Sequence, residues 1–225
     1  MSGAVVLLSG GLDSTVTLAM AVRDRGDAVA LSFRYGQRHT RELESAAAVA
    51  AHYGVRHVIV DIDLSSFRSS LIGEGGDIPA DRPLGEIGKG IPSTYVPARN
   101  IIMLSVALGL CESVGADTIY IGANTVDYSG YPDCREGFFR AFEAMAAAGT
   151  KAGVEGNPIK IATPILDMSK ADIVGAGMSL GAPLALTWSC YGGGDRACGK
   201  CDSCRLRLKG FADAGYEDKI PYGGS

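Results

Sequence analysis

The chain has 225 residues, 47% of them hydrophobic, and a formal net charge of −4. That length fits one domain, or one with a small appendage, and the apolar content can bury a sizeable core. The acidic balance argues against a free-standing nucleic-acid binder, which usually shows a basic face, so no stable nucleic-acid partner is expected.

Met1-Ser2-Gly3 leads straight into an apolar β-type run, Ala4-Val5-Val6-Leu7-Leu8. No basic stretch followed by an apolar one precedes it, so no secretory signal is expected and the chain reads as cytoplasmic. Its cysteines are then expected to be reduced or metal-bound. Ser9-Gly10-Gly11-Leu12-Asp13-Ser14 follows the strand, and Thr15 to Arg25 carries a helical pattern with Val16, Leu18, Met20 and Val22. Strand, glycine turn and helix aim backbone N–H groups at an anion. Paired glycines let the backbone approach a ligand, and Ser9, Ser14 and Thr15 add hydroxyl donors. The turn is neither a Walker A loop nor a GxGxxG fingerprint. Its plain alternative is a glycine turn with a serine cap. Asp13 could serve Mg²⁺ carried by a nucleotide, or cap the helix.

Ala28 to Phe33 reads as the second strand, Arg38 to Tyr53 as a helix ending at Gly54, and Arg56 to Val60 as the third strand. Tyr35 and Gln37 leave the second strand where an adenine or ribose could rest. His39 and Glu42, spaced i, i+3, read as a solvated helix face. His52 and His57 read as structural. Gly73 to Pro97, with Lys89, is a Gly- and Pro-rich segment of the length typical of lids and binding loops. Arg99 to Val114 is a strongly apolar helix ending at Gly115. Its longest clean apolar run, Ile101 to Leu110, is too short to span a bilayer, so no membrane is expected. Arg99 opposes the helix dipole, which points to a nearby anion.

Asp117 to Ile121 is the fourth strand. The polar loop after it, Gly122 to Arg135, includes Asp127, Asp133 and Arg135, which could read a polar heterocycle and its carboxylate. A helix from Arg135 to Ala148, a short fifth strand from Lys160 to Thr163 and a helix from Ser169 to Leu180 follow. Lys170, at the start of that last helix, could neutralise pyrophosphate. Strands separated by helices imply a doubly wound parallel α/β sheet with ligands at the carboxyl ends of the strands.

Cys190, Cys198, Cys201 and Cys204 have the spacing C-x7-C-x2-C-x2-C. Four thiolates so spaced suit a closed, structural, tetrahedral Zn²⁺, although a Cys₄ set also holds iron–sulfur clusters. Cys111 reads as core, and Cys134 as either a packed thiol or part of the polar loop. The expected division is a nucleotide domain over 1–186 and a zinc-binding C-terminal segment over 187–225 packed on it.

These motifs resemble those of the 7-cyano-7-deazaguanine (preQ0) synthases of queuosine biosynthesis, within the ATP pyrophosphatase (PP-loop) superfamily. The likeness runs nearly end to end. It rests on Leu8 to Ser14, Tyr35-Gly36-Gln37, Val96-Pro97, Arg99-Asn100, Asp127 to Arg135, Pro164 to Lys170, Trp188 to Tyr191 and the four cysteines. The resemblance implies an adenine nucleotide alpha hydrolase-like fold with a zinc knuckle. It also implies a ligase that joins 7-carboxy-7-deazaguanine and ammonia at the expense of ATP. In that scheme Leu8 to Thr15, Tyr35 and Gln37 hold ATP with its Mg²⁺, Lys170 faces pyrophosphate, and Arg99, Asp133 and Arg135 meet the substrate. A homodimer is implied as well. A tRNA sulfur-transfer ligase, an ammonia-dependent NAD⁺ synthetase and a nucleotide-binding sensor are the competing readings. The acidic balance disfavours the first, and the cysteine cluster disfavours the second.

Overall fold

The structure is a computed structural model and describes residues 3–72, 77–87, 90–126 and 131–223. Five strands form one wholly parallel sheet in the order β3-β2-β1-β4-β5. They are β1 (Ala4–Leu7), β2 (Ala28–Arg34), β3 (Arg56–Asp61), β4 (Thr118–Tyr120) and β5 (Lys160–Ala162). The order reverses between β1 and β4, and at such a switch point the loops leaving neighbouring strands diverge and open a crevice. The loop after β1 therefore stands at the mouth of that crevice.

The sheet is covered on both faces, and the alternation of side chains along β1 shows how. Val5 points into a core with Leu31, Ile119 and the helices α3 (Arg99–Val114) and α4 (Glu136–Gly149). Val6 points the other way, against Leu18 of α1 (Leu12–Arg25) and Ala46 and Val49 of α2 (Arg41–Tyr53). A strand buried on both faces needs an unbroken apolar run, and Ala4-Val5-Val6-Leu7 supplies one. A short helix, α5 (Lys151–Val154), links α4 to β5. The helix α6 (Lys170–Ser179) opens with a reciprocal cap in which Ser169 and Asp172 satisfy each other's backbone. Val16, Ile173, Val174 and Phe211 join α1, α6 and α7 (Asp202–Asp213) in a third core.

Boundaries differ from the sequence expectation in two instructive places. Helix α1 begins at Leu12 rather than Thr15, so Asp13 and Ser14 occupy its first turn. Helix α2 begins at Arg41 rather than Arg38, because Gln37 holds the preceding chain in a turn: its Oε1 accepts from the Tyr35 N–H and its Nε2 donates to the Phe33 carbonyl. Helix α7 lies in the cysteine segment, where the sequence reading placed a knuckle and no helix.

At Gly10 the chain is tightly constrained. Its φ is +84°, and a Cβ there would lie 2.1 Å from the Glu42 carbonyl oxygen and 2.6 Å from the Ala46 nitrogen. Both atoms are backbone and cannot swing aside. Gly10→Ala should therefore destabilise the protein by roughly 2–5 kcal/mol, combining left-handed strain with overpacking. Gly26→Ala, at φ +74° with no atom within 4 Å, should cost only the conformational part, about 1–2 kcal/mol. Denaturant unfolding of the two variants checks the difference, and equal losses would contradict it.

Candidate active site

The crevice holds a cavity of about 280 Å³ at the carboxyl ends of β1, β2 and β4. The phosphate-loop residues Leu8, Ser9, Gly11, Leu12, Asp13 and Ser14 form one wall. Gly10 is the wedge behind them, and Thr15 is fully buried in the first turns of α1. Within the loop the Ser9 N–H and the Ser14 hydroxyl hold the turn closed: Ser9 N donates to Ser14 Oγ at 3.2 Å, and Ser14 Oγ donates to the Gly11 carbonyl at 3.1 Å. The first N–H groups of α1 have no partner within the helix, and its first residues line the cavity.

Lys170 meets that loop from the start of α6, which packs beside α1. Its Nζ lies 2.9 Å from each carboxylate oxygen of Asp13. Only 8% of Lys170 is exposed, so the ammonium is held in place rather than waving in solvent. Three features aim it. The cap at Ser169 fixes the start of α6. Asn124 Nδ2 donates to the carbonyls of Ile165 and Met168, tying the loop before α6 to the end of β4. Gly210 of α7 leaves room for the lysine stem, since a Cβ there would sit 2.4 Å from Lys170 Cγ. Gly122, after β4, passes so near the loop that a Cβ would be 3.1 Å from the Ser14 nitrogen.

The opposite wall is a polar cluster of Tyr35, Arg99 and Glu42, with Gln37, His39, Tyr131 and Cys134 around it. Arg99 shares this wall with Tyr35, and although burial works against its charge, the neighbouring Tyr35, Tyr131 and Cys134 keep its pKa above the ordinary arginine value. The anion expected near the α3 start is Asp133, whose carboxylate accepts the Asn100 N–H at 3.0 Å. Just before Arg99, Ala98 adopts φ +56°, and its N–H donates to the Tyr95 hydroxyl. Asn100 Nδ2 reaches the Cys134 sulfur at 3.3 Å. Burial pushes the Cys134 thiol up to about 11, so it is protonated at neutral pH. Burial likewise raises Glu42 to about 7, opposed by the Arg99 charge. Glu42 keeps some accessible surface because it faces the cavity.

Of the expected site residues, the structure brings the loop, Tyr35, Gln37, Arg99 and Lys170 to one cavity. Asp133 is buried behind it as the cap just described. Arg135 is exposed at the start of α4, away from the cavity wall. Asp127 and Lys89 lie outside the described residues, as do Tyr128 to Gly130. His39 and Glu42 are not on a solvated face: both line the cavity. Nothing in their i, i+3 spacing distinguishes the two situations; the turn at Gln37, which rotates the start of α2 inward, decides it. His57 is structural as expected, its Nε2 lying 2.7 Å from Ser32 Oγ, and Cys111 is core.

The sulfur atoms of Cys190, Cys198, Cys201 and Cys204 lie within 4.8 Å of one another, a donor set that fits a tetrahedral metal ion. Backbone N–H groups of Gly192 and Cys198 donate to Cys190 Sγ, and those of Lys200 and Cys201 donate to Cys198 Sγ. Such N–H···S bonds orient thiolate ligands. The sulfurs also polarise one another. Donors from Cys201 and Cys204 draw Cys190 well below the usual thiol range, while Cys190 pushes Cys201 up to about 12. A cation is what lets all four ionise together. The cluster is continuous with the cavity: the Trp188 N–H donates to the Gly10 carbonyl at 2.8 Å, and Ser189 and Tyr191 line the wall. Residues 77–87 dock on it, with the Asp81 N–H on the Lys200 carbonyl and Arg82 paired with Asp202.

The Asp13–Lys170 pair can be tested without any ligand. Asp13→Ala takes this carboxylate away from a nearly buried ammonium, and Lys170→Met takes the ammonium away from a largely covered carboxylate. The double variant should be more stable than the sum of the two losses implies, with a coupling of about 1–3 kcal/mol in a double-mutant cycle. Additive losses would show that the contact contributes nothing.

A family model described as "Queuosine biosynthesis protein QueC" matches residues 3–215. The 7-cyano-7-deazaguanine synthase of Ralstonia pickettii (strain 12J) is 55% identical over 97% of this chain and 98% of its own length. That of Xanthomonas campestris pv. campestris (strain B100) is 55% identical over 99% of this chain and 98% of its own. Among solved structures, an NMN synthetase from Francisella tularensis is similar at 14% identity with a TM-score of 0.49, over 96% of this chain and 78% of that one. With the phosphate loop, the cavity and the four cysteines all inside the matched span, this chain belongs to the QueC family of queuosine biosynthesis proteins.

Proposed function

We propose that this chain is an ATP-dependent carbon–nitrogen ligase that makes 7-cyano-7-deazaguanine from 7-carboxy-7-deazaguanine and ammonia. One observation carries the reading beyond the family name. A single cavity joins the phosphate loop, with Lys170 on it, to the Tyr35–Arg99–Glu42 cluster, so an acid bound at one wall can meet an α-phosphate held at the other.

A carboxylate is a poor electrophile because its leaving group would be oxide. Attack of the carboxylate on the α-phosphate of ATP expels pyrophosphate and gives an acyl adenylate. Ammonia displaces AMP to form the amide. The amide oxygen takes a second AMP in the same way, and loss of that AMP with a proton leaves the nitrile. The chain's residues supply position and charge. First-turn N–H groups of α1, with Ser9 and Ser14, hold the phosphates. Lys170 exchanges part of its contact with Asp13 for the departing pyrophosphate. Mg²⁺ would arrive with the nucleotide and neutralise its charge, with Asp13 as the carboxylate nearest the loop. Arg99 meets the substrate. Asp133 holds Arg99 by capping α3, and the exposed Arg135 can act only if the loop before it folds inward. Tyr35 and Gln37 shape the adenine side.

The four cysteines would hold zinc in a structural role, and residues 187–225 form the segment it organises. The chain works in the cytoplasm. Its partners are small molecules, and no helix of the described residues is long and apolar enough to cross a membrane. The chain pairs with a second copy as a homodimer, and the exposed Ile101 of α3 is an apolar group such a partner would cover.

Metal analysis should find about one zinc per chain. Cys201→Ala should lower metal content and soluble yield together, since the binding energy of a structural site is folding energy. Iron with a visible charge-transfer band would refute zinc. Counting of AMP against product, with mass spectrometry of the product, tests the reaction itself. Two AMP should appear per nitrile formed from the acid and one per nitrile formed from the amide, with ammonia required for the first route only. A product that stops at the amide would overturn the assignment.

A further inference from the structure

We infer that Glu42 reads the base: its carboxylate accepts the N1–H and 2-amino hydrogens of the deazaguanine ring, while Arg99 beside it donates to the 6-oxo group. This rests on the function proposed above and assigns the residues that select the ring.

Glu42 stands in the first turn of α2 and lines the cavity. Among the described residues no hydrogen bond reaches its carboxylate, and the Arg99 guanidinium acts on it through its charge alone. A carboxylate inside a cavity without donors is costly, and a ligand that brings donors relieves the cost. Gln37 and Lys170, by contrast, are already tied, Gln37 to the backbone and Lys170 to Asp13.

The chemistry of the vacant acceptor discriminates among ligands. Phosphates and the substrate's own carboxylate are repelled by it. Adenine presents an amino donor beside a ring-nitrogen acceptor, which matches only one of the two carboxylate oxygens. A 2-amino-6-oxo purine-like ring presents two adjacent N–H donors followed by a carbonyl acceptor. Glu42 beside Arg99 offers two acceptors followed by a donor, which is the complement of that edge. Anchoring this edge leaves the carboxyl on the five-membered ring free to face the nucleotide.

The test compares 7-carboxy-7-deazaguanine with its 2-deamino counterpart, reading nitrile formation and, separately, equilibrium binding of ATP. The wild type should prefer the amino compound by roughly 10- to 100-fold in kcat/KM, as expected for a bidentate contact. Glu42→Gln replaces one acceptor by a donor that opposes the ring N–H. It should lower kcat/KM for the amino compound by at least about tenfold, chiefly through KM, and bring the preference close to one. ATP affinity, zinc content and melting temperature should stay at wild-type values. Glu42→Asp keeps the charge on a shorter stem and should retain part of the preference. It carries the same comparison if the glutamine variant is insoluble. An unchanged preference in the variants would overturn the inference. So would an equal loss of ATP affinity, or a rise confined to the KM for ammonia, since Glu42 would then serve the nucleotide or the ammonium ion. A wild type that makes nitrile from neither compound would instead refute the proposed function, and this inference with it.

Discussion

The structure turns on the crossing at Gly10. Three stretches of backbone meet there: the phosphate loop, the first turns of α2 and the chain entering the cysteine segment. Glu42 O and Ala46 N leave no room for a side chain, and the Trp188 N–H holds the Gly10 carbonyl. The Gly10 carbonyl is thereby already spent on the protein's own backbone. A strand–turn–helix unit can in principle flex at its glycines. Here Gly10 is pinned from both sides, so the shape of the turn is set by the protein's own packing.

The rest of the cavity is assembled on the same plan, with polar side chains held in place by neighbouring polar groups. Asp133 caps the helix that carries Arg99. Ser169 and Asp172 cap the helix that carries Lys170. Asn124 sits on the wall, but its amide is spent on two backbone carbonyls. Arg207, 1% exposed, pairs with Asp218 through both nitrogens and donates to Thr187 and Ser189, fixing the segment that covers the loop. Buried polar groups treated this way are satisfied and therefore rigid.

The sheet, its strand content and its parallel pairing were legible in the sequence because hydrophobic runs and glycine breaks alternate plainly. The strand–glycine turn–helix unit was legible because Gly10 and Gly11 stand between an apolar run and a helical pattern. The cysteine cluster was legible because thiolate spacing reports directly on metal geometry. What escaped depends on long-range packing. Glu42 and His39 read as solvent-facing because a two-residue spacing does not say which way a helix is rotated; that was set by the turn at Gln37. Asp133 read as a substrate contact because a carboxylate that caps a distant helix has the same local signature as one that meets a ligand. Helix α7 escaped because its apolar residues, Leu206 and Phe211, are sparse among charges, and its first residue follows a cysteine that drew the eye to the metal.

Gly210 packs under the stem of Lys170, and Trp188 grips Gly10 from the same end of the chain. On the ribosome, where β1 and α1 emerge first, this arrangement imposes an order of events. The strand, the glycine turn and the helix can form early, from local and near-neighbour contacts. The turn is not clamped, and the lysine is not seated against its aspartate, until residues beyond 210 have left the exit tunnel. A growing chain therefore carries the outline of its glycine loop well before the two contacts that hold it are made. Competence arrives late and all at once, when the last helix docks.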